Sequence, residues 1–137
     1  MINKTRIAIV PSRKGSKRIK DKNIKNFSGK PIIQYILNSA ANANLFEVIH
    51  VSTDCPNIAS IANEVGGSTD FLRPSSLADD NTPLLDVLRF VVKEYEKIGK
   101  TFDEVWMLMA CSPLLTSDDL INIASYFDRM LKKQNTD

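Results

Sequence analysis

Cysteine and histidine are scarce: Cys55, Cys111 and His50 are the only thiols and imidazole in 137 residues. Two cysteines so far apart make neither a disulfide framework nor a zinc site, and one histidine excludes a His-rich metal centre. Both cysteines therefore read as reduced thiols. Long apolar runs are also missing. The best, Val105 to Cys111, has the length of a buried strand and falls short of the roughly 20 residues of a spanning helix. The opening Met1-Ile2-Asn3-Lys4-Thr5-Arg6 runs into a short apolar stretch closed by Pro11, without the hydrophobic segment and cleavage site of a secretory signal. The expected compartment is the cytoplasm. No internal repeat or low-complexity linker divides the chain.

What is present suits one domain over residues 1–137: 43% hydrophobic, 7% aromatic and 25% charged residues, with apolar surface enough to offset chain entropy. The net charge of +2 hides an uneven distribution. Residues 1–30 hold ten Lys or Arg and a single acid, Asp21, for a net +9, while the remainder holds eight bases and fifteen acids, for a net −7. A positive patch concentrated in one segment suits a local anion site. A nucleic-acid surface normally draws bases from several elements.

Hydrophobic periodicity predicts four β-α units. Ile7 to Val10 reads as a strand buried on both faces, and Pro31 as the first residue of a helix carrying Ile32, Ile33, Ile36, Leu37, Ala40 and Ala41. Val48 to Val51 is a second strand, followed by a helix from Pro56 to Gly66-Gly67. A short third strand is expected at Thr69 to Leu72. Next comes a helix with Thr82 as N-cap, Pro83 in its first turn and a stripe of Leu84, Leu85, Leu88, Val91, Val92 and Tyr95, ended by Gly99. Val105 to Ala110 is the fourth strand. The acidic start Ser117-Asp118-Asp119 opens a last helix with Leu120, Ile123, Ala124, Phe127 and Leu131 on its inner side. Strict alternation implies a three-layer α/β/α sandwich, Rossmann-like, with a mostly parallel sheet and ligands at the carboxyl ends of its strands.

The loop after the first strand, Ser12-Arg13-Lys14-Gly15-Ser16-Lys17-Arg18-Ile19-Lys20-Asp21-Lys22-Asn23, lies at such an end. Gly15 permits close backbone approach to an anion, Ser12 and Ser16 offer hydroxyls, and Arg13 offers a planar fork for phosphate oxygens. A Walker A loop does not fit: Gly29-Lys30 would need glycine at Ile24, and Pro31 stands where a hydroxyl residue belongs. One glycine also falls short of a dinucleotide fingerprint. A merely solvated lysine-rich loop is the plain alternative, but position and interleaved small residues favour a polyphosphate.

Further blocks complete a pattern. Arg13-x-Gly15-Ser16-Lys17-x-x-x-x-Lys22-Asn23, Gly29-Lys30-Pro31-Ile32, Val51-Ser52-Thr53-Asp54, Phe71-Leu72-Arg73-Pro74-x-x-Leu77-Ala78-Asp79-Asp80 and Ser112-Pro113-Leu114 run in order along the chain. Together they resemble the acylneuraminate cytidylyltransferases, the CMP-sialic acid synthetase group that includes pseudaminic and legionaminic acid cytidylyltransferases. The resemblance implies a nucleotide-diphospho-sugar transferase-like fold and transfer of CMP from CTP to a nonulosonic 2-keto sugar acid, with release of pyrophosphate. It implies that Ser12, Arg13, Gly15, Ser16, Lys17, Asn23, Arg73 and Thr82 bind the nucleotide, Arg73 and the segment ending near Thr82 lying along cytosine and ribose. Arg13 and Lys22 are the cations expected to meet charge developing on phosphate oxygens. Met109 and Ser112 are the candidates for the sugar. Where sialic acid enzymes typically carry a Gln-Pro-Thr-Ser-Pro-like run, this chain has Met109-Ala110-Cys111-Ser112-Pro113. A thioether cannot replace the amide's donor and acceptor, so a pseudaminate-like or legionaminate-like acid, less hydroxylated than N-acetylneuraminate, is expected.

Several residues have ordinary explanations. His50 is expected in the core rather than as a general base, Asp54 either assists the site or caps the helix at Pro56, and Asp79-Asp80 suits a helix-start charge pair. Arg73-Pro74 is equally consistent with a pinned turn. The resemblance also implies Mg2+, held by aspartates downstream of the matched region, and homodimers for full-length members. The chain accordingly reads as an apparently truncated N-terminal portion. Two alternatives stay open: a non-catalytic nucleotide- or phosphometabolite-binding module, and a basic-loop nucleic-acid binder whose affinity falls steeply with salt.

Overall fold

The computed structural model describes residues 4–14 and 22–135, the side chains of Lys22 and Asn135 excepted. Gly15, Ser16, Lys17 and the Lys22 side chain therefore lie outside the described residues. Strand β1, Arg6–Pro11, is the middle of a three-stranded parallel sheet. Strand β4, Val48–Ser52, pairs on one side from Ile7↔Val48 to Pro11↔Ser52. Strand β5, Glu104–Met107, pairs on the other from Arg6↔Glu104 to Ile9↔Met107.

Four consecutive apolar residues make β1 central because the pleat sends them alternately to two cores. Ala8 and Val10 face a cluster with Ile33, Ile36 and Leu37 of helix α1, Ile32–Ala43, and Ile58 and Ala62 of helix α2, Pro56–Glu64. Leu120 of helix α4, Ser117–Asn135, joins the same cluster. Ile7 and Ile9 face Val91 and Tyr95 of helix α3, Leu84–Lys97. Helices thus cover both faces, as the expected three-layer sandwich requires. A small hairpin, β2 (Asn26–Phe27) and β3 (Lys30–Pro31), turns through Ser28 and Gly29, both at positive φ, the backbone twist that suits a tight two-residue hairpin. Among the described residues no helix is long and apolar enough to cross a membrane.

Six expectations are corrected. The third strand at Thr69 to Leu72 does not form. Ser68 alone makes a parallel bridge to His50, its N–H donating to Ile49 O at 2.7 Å and its carbonyl accepting from Val51 N at 2.9 Å. Beyond it Phe71 turns in to stack on His50, and Asp70 is taken by side-chain bonds, so the segment packs instead of extending the ladder. Thr82 is not the N-cap of α3. Pro83 holds that position without a side-chain bond, and the Thr82 hydroxyl donates to Asp79 Oδ1 at 2.7 Å. The α3 stripe is Val87, Val91 and Tyr95, four residues apart, leaving Leu84 and Leu85 exposed. Pro31 precedes α1 instead of opening it, and β5 stops at Met107. On α4, Leu120 and Ala124 are buried while Ile123 and Phe127 are exposed.

His50 sits in the core as expected. Its ring stacks on Phe71 at 4.5 Å, and its Nδ1 lies 2.8 Å from the Tyr95 hydroxyl. Tyr95 donates its only proton to Asp70 Oδ2 at 2.9 Å, so the imidazole N–H that reaches the phenol oxygen is on Nδ1. Burial, opposed by Asp70 and assisted by Arg73, pushes the His50 pKa from 6.5 down to about 4. Because the folded-state value lies below the unfolded one, the unfolded chain binds more protons between those limits. The His50 contribution is full above about pH 6.5 and is lost as pH falls towards 4, in all about 3 kcal/mol. Urea unfolding at a series of pH values should show that slope in the unaltered chain, and His50→Gln should lack it.

Candidate functional site at the strand carboxyl ends

Where β1 ends, the Ser12 N–H donates to Ser52 O at 2.8 Å, extending the pairing with β4 by one residue. The Ser12 hydroxyl is fully buried and finds no partner among the described residues. A buried hydroxyl without a partner carries a desolvation cost. Arg13 follows. Its carbonyl accepts from Asn23 Nδ2 at 3.2 Å, and the next residue, Lys14, donates its N–H to Asp54 Oδ1 at 2.8 Å. Asp54 thus anchors the basic loop, while Cys55 occupies the cap position of α2.

Arg73 is the second cation. Its N–H bonds to Thr53 O at 2.6 Å, while its guanidinium donates from Nε to Ser52 Oγ at 3.1 Å and from Nη2 to Ser52 O at 2.8 Å. All its described partners are neutral oxygens. Burial pulls its pKa down, Asp54 opposes that, and Arg13 adds to it. A guanidinium still retains its proton at any ordinary pH, so a desolvated positive charge faces the site. Arg13, in contrast, is paired: its Nη2 lies 2.6 Å from Asp80 Oδ1.

The two arginines line one cavity of about 290 Å3, together with Asn23, Asp79, Asp80, Thr82, Leu84, Val87, Met109, Ala110 and Cys111. Of the residues expected at the site, Arg13, Asn23, Arg73, Thr82 and Met109 share this wall, whereas Ser12 is fully buried and does not line it. Ser112 does not line it. It lies in the turn leading to α4, where its carbonyl accepts from Leu115 N at 3.4 Å. Cys111 is on the wall in its place, its thiol 3.8 Å from Asn23 Oδ1. Sequence reading missed Asp80 as the partner of Arg13 and Leu84 as a wall residue. An acid in the polar stretch and an apolar residue spilling off the α3 stripe were the available signals.

Asp79 is held below the usual carboxylate range, first by the Thr82 hydroxyl and then by the Asn81 N–H. With Asp79 bound inside its own turn and Asp80 on Arg13, the cavity carboxylates do not form a metal site. Among the described residues no three His, Cys, Asp or Glu side chains converge on one point. The described residues of the cavity thus offer no preformed carboxylate cluster for a cation.

Fold and cavity together define an α/β domain with a cationic, amide-bearing site at the carboxyl ends of parallel strands. The chain belongs to the cytidylyltransferase family, whose model matches residues 7–135. It is 40% identical over 131 residues to the Helicobacter pylori protein named pseudaminic acid cytidylyltransferase and UDP-2,4-diacetamido-2,4,6-trideoxy-beta-L-altropyranose hydrolase, covering 96% of this chain and 24% of that one. Identity to the Campylobacter jejuni pseudaminic acid cytidylyltransferase is 35%, over 83% of this chain and 49% of the relative. For the Legionella pneumophila CMP-N,N'-diacetyllegionaminic acid synthase it is 34%, over 78% and 46%. A solved CMP:2-keto-3-deoxy-manno-octonic acid synthetase complexed with CTP superposes with a TM-score of 0.71 at 21% identity, over 91% of this chain and 48% of that one, which shows the shared fold. The chain thus spans about half the length of the two single-named relatives and about a quarter of the first.

Replacing the planar fork of Arg73 while keeping its charge tests how the site is held. Arg73→Lys should lower stability in urea unfolding by about 1–3 kcal/mol, because a single ammonium nitrogen does not reproduce the spaced Nε and Nη2 donors that meet Ser52 Oγ and O.

Proposed function

We propose that this chain provides the nucleotide-binding part of a CTP-dependent cytidylyltransferase that joins CMP to a nonulosonic 2-keto sugar acid. The carrying observation is the pair of guanidiniums, Arg13 and Arg73, on one cavity, with Arg13 next in sequence to the buried Ser12, whose hydroxyl has no partner among the described residues. In the proposed reaction the sugar's anomeric hydroxyl loses its proton and forms a bond to the α-phosphorus, while the bond to the β-phosphate oxygen breaks and pyrophosphate departs. Negative charge grows on non-bridging and leaving oxygens, so fixed cations contribute most of what a protein supplies. Arg13 takes that role at the leaving pyrophosphate oxygens, and Arg73, with Asn23 and Thr82, orients the nucleoside. Lys22, Gly15, Ser16 and Lys17 join the phosphate contacts on the strength of the family motif alone.

Met109, half exposed on the cavity wall, gives the sugar an apolar, polarizable neighbour. That supports an acid with deoxy or acylamino groups, of the pseudaminic or legionaminic kind named in the relatives. Ser112 belongs to the turn behind that wall and has a weaker claim on the sugar. Magnesium remains part of the proposal, with its ligands outside the described residues. The proposed setting is the cytoplasm, where nucleoside triphosphates are available, with homodimers for full-length members.

Saturating CTP, at about 100 times its dissociation constant, should stabilise the chain by about 2.7 kcal/mol. Arg13→Ala should weaken CTP binding about ten- to hundredfold, the loss of one to two charge-assisted hydrogen bonds. A pyrophosphate-release assay with CTP, magnesium and a panel of nonulosonic acids then tests transfer. CTP-induced stabilisation without release points to a binding module. Unchanged CTP affinity in Arg13→Ala counts against the site, and salt-steep binding of random DNA without CTP binding counts against the reading as a whole.

A further inference from the structure

The ion pair between Arg13 and Asp80 lies on the wall of the cavity assigned to the proposed nucleotide. Each side chain is about one-third exposed, 31% for Arg13 and 32% for Asp80, so water and a ligand both reach the contact. The acid is placed by a built turn: Asp79 Oδ1 accepts from Asn81 N at 3.0 Å and from the Thr82 hydroxyl at 2.7 Å. The Arg13 backbone is fixed as well, by Asn23 on its carbonyl and by Asp54 on the next N–H. Rigid anchors on both sides leave the guanidinium itself as the adjustable part.

We infer that Asp80 is a positioning residue that holds Arg13 in the ligand-free chain and yields it to a polyphosphate, making nucleotide binding an exchange of anions at Arg13. The inference rests on the cytidylyltransferase reading above. Breaking the pair costs the same for any ligand that needs Arg13 and nothing for a ligand that does not. A triphosphate recovers that cost with several charged oxygens, whereas a nucleoside monophosphate held through Asn23, Arg73 and Thr82 gains little from the exchange. Asp80 therefore tunes the site by ligand charge, and its return to Arg13 assists the departure of pyrophosphate.

Calorimetric titration with CTP and with CMP, at fixed ionic strength, on the unaltered chain, Asp80→Asn and Asp80→Glu tests this. Asp80→Asn should bind CTP about two- to fivefold more tightly, the scale of a partly exposed ion pair, with CMP affinity essentially that of the unaltered chain. Asp80→Glu should restore the original CTP affinity. In an Arg13→Ala chain the gain from Asp80→Asn should vanish, since there is no guanidinium to release. Equal weakening of CTP and CMP in Asp80→Asn would mean that Asp80 merely supports the turn, and it overturns the exchange. So does unchanged CTP binding, or a gain that persists without Arg13. If none of the chains binds CTP, the cytidylyltransferase reading fails and takes this inference with it.

Discussion

The carbonyl of Ser52 is the point on which the site depends. It accepts from the Ser12 N–H and from Arg73 Nη2, both at 2.8 Å, so the ends of β1 and β4 and the buried guanidinium meet on one oxygen. Removing a charge from water costs several kcal/mol unless hydrogen bonds compensate, and here backbone and hydroxyl oxygens of a central strand do so. Arg73 is therefore as much a structural element as a ligand contact. Its position cannot change without disturbing the strand ends that aim Arg13.

The basic segment at the start of the chain divides between two ends of β1. Lys4 and Arg6, at the amino end, are bound to Glu104 and Asp128 at distances from 2.8 to 3.3 Å. Those cations belong to a neutralised structural network, with Trp106 Nε1 adding a bond to Glu104 Oε1 at 3.0 Å. The charge available at the carboxyl end is correspondingly smaller than the sequence total implies. It is also better directed, because Arg73 meets only neutral partners among the described residues while Arg13 meets one carboxylate.

Strand β1, the four helices and the location of the cavity were legible in the sequence, because a continuous apolar strand between amphipathic helices has few other ways to bury itself. Periodicity was less able to choose a helix face where apolar residues occur on two sides. Leu84 and Leu85 fit a stripe as well as Val87 does, and only the approach of α3 to Ile7 and Ile9 decides. The strand expected at Thr69 to Leu72 failed for a related reason: Phe71 suits a pleated surface, but its ring is needed on His50. The Arg13–Asp80 pair joins residues from distant segments, and no local spacing encodes it. Asp54 was readable as either site or cap, and the Lys14 N–H settles it in favour of the loop.

The two margins of the sheet differ. Beyond β4, Ser68 closes part of the edge with its two backbone bonds. No strand adjoins the outer side of β5 among the described residues, and Val105, Met107, Ile123 and Phe127 around it are all at least 40% exposed. An open strand edge beside apolar side chains is the kind of margin at which a sheet can be extended. The architecture accordingly has a polarity: one flank is partly closed by a single bridge, while the other stays open among the described residues.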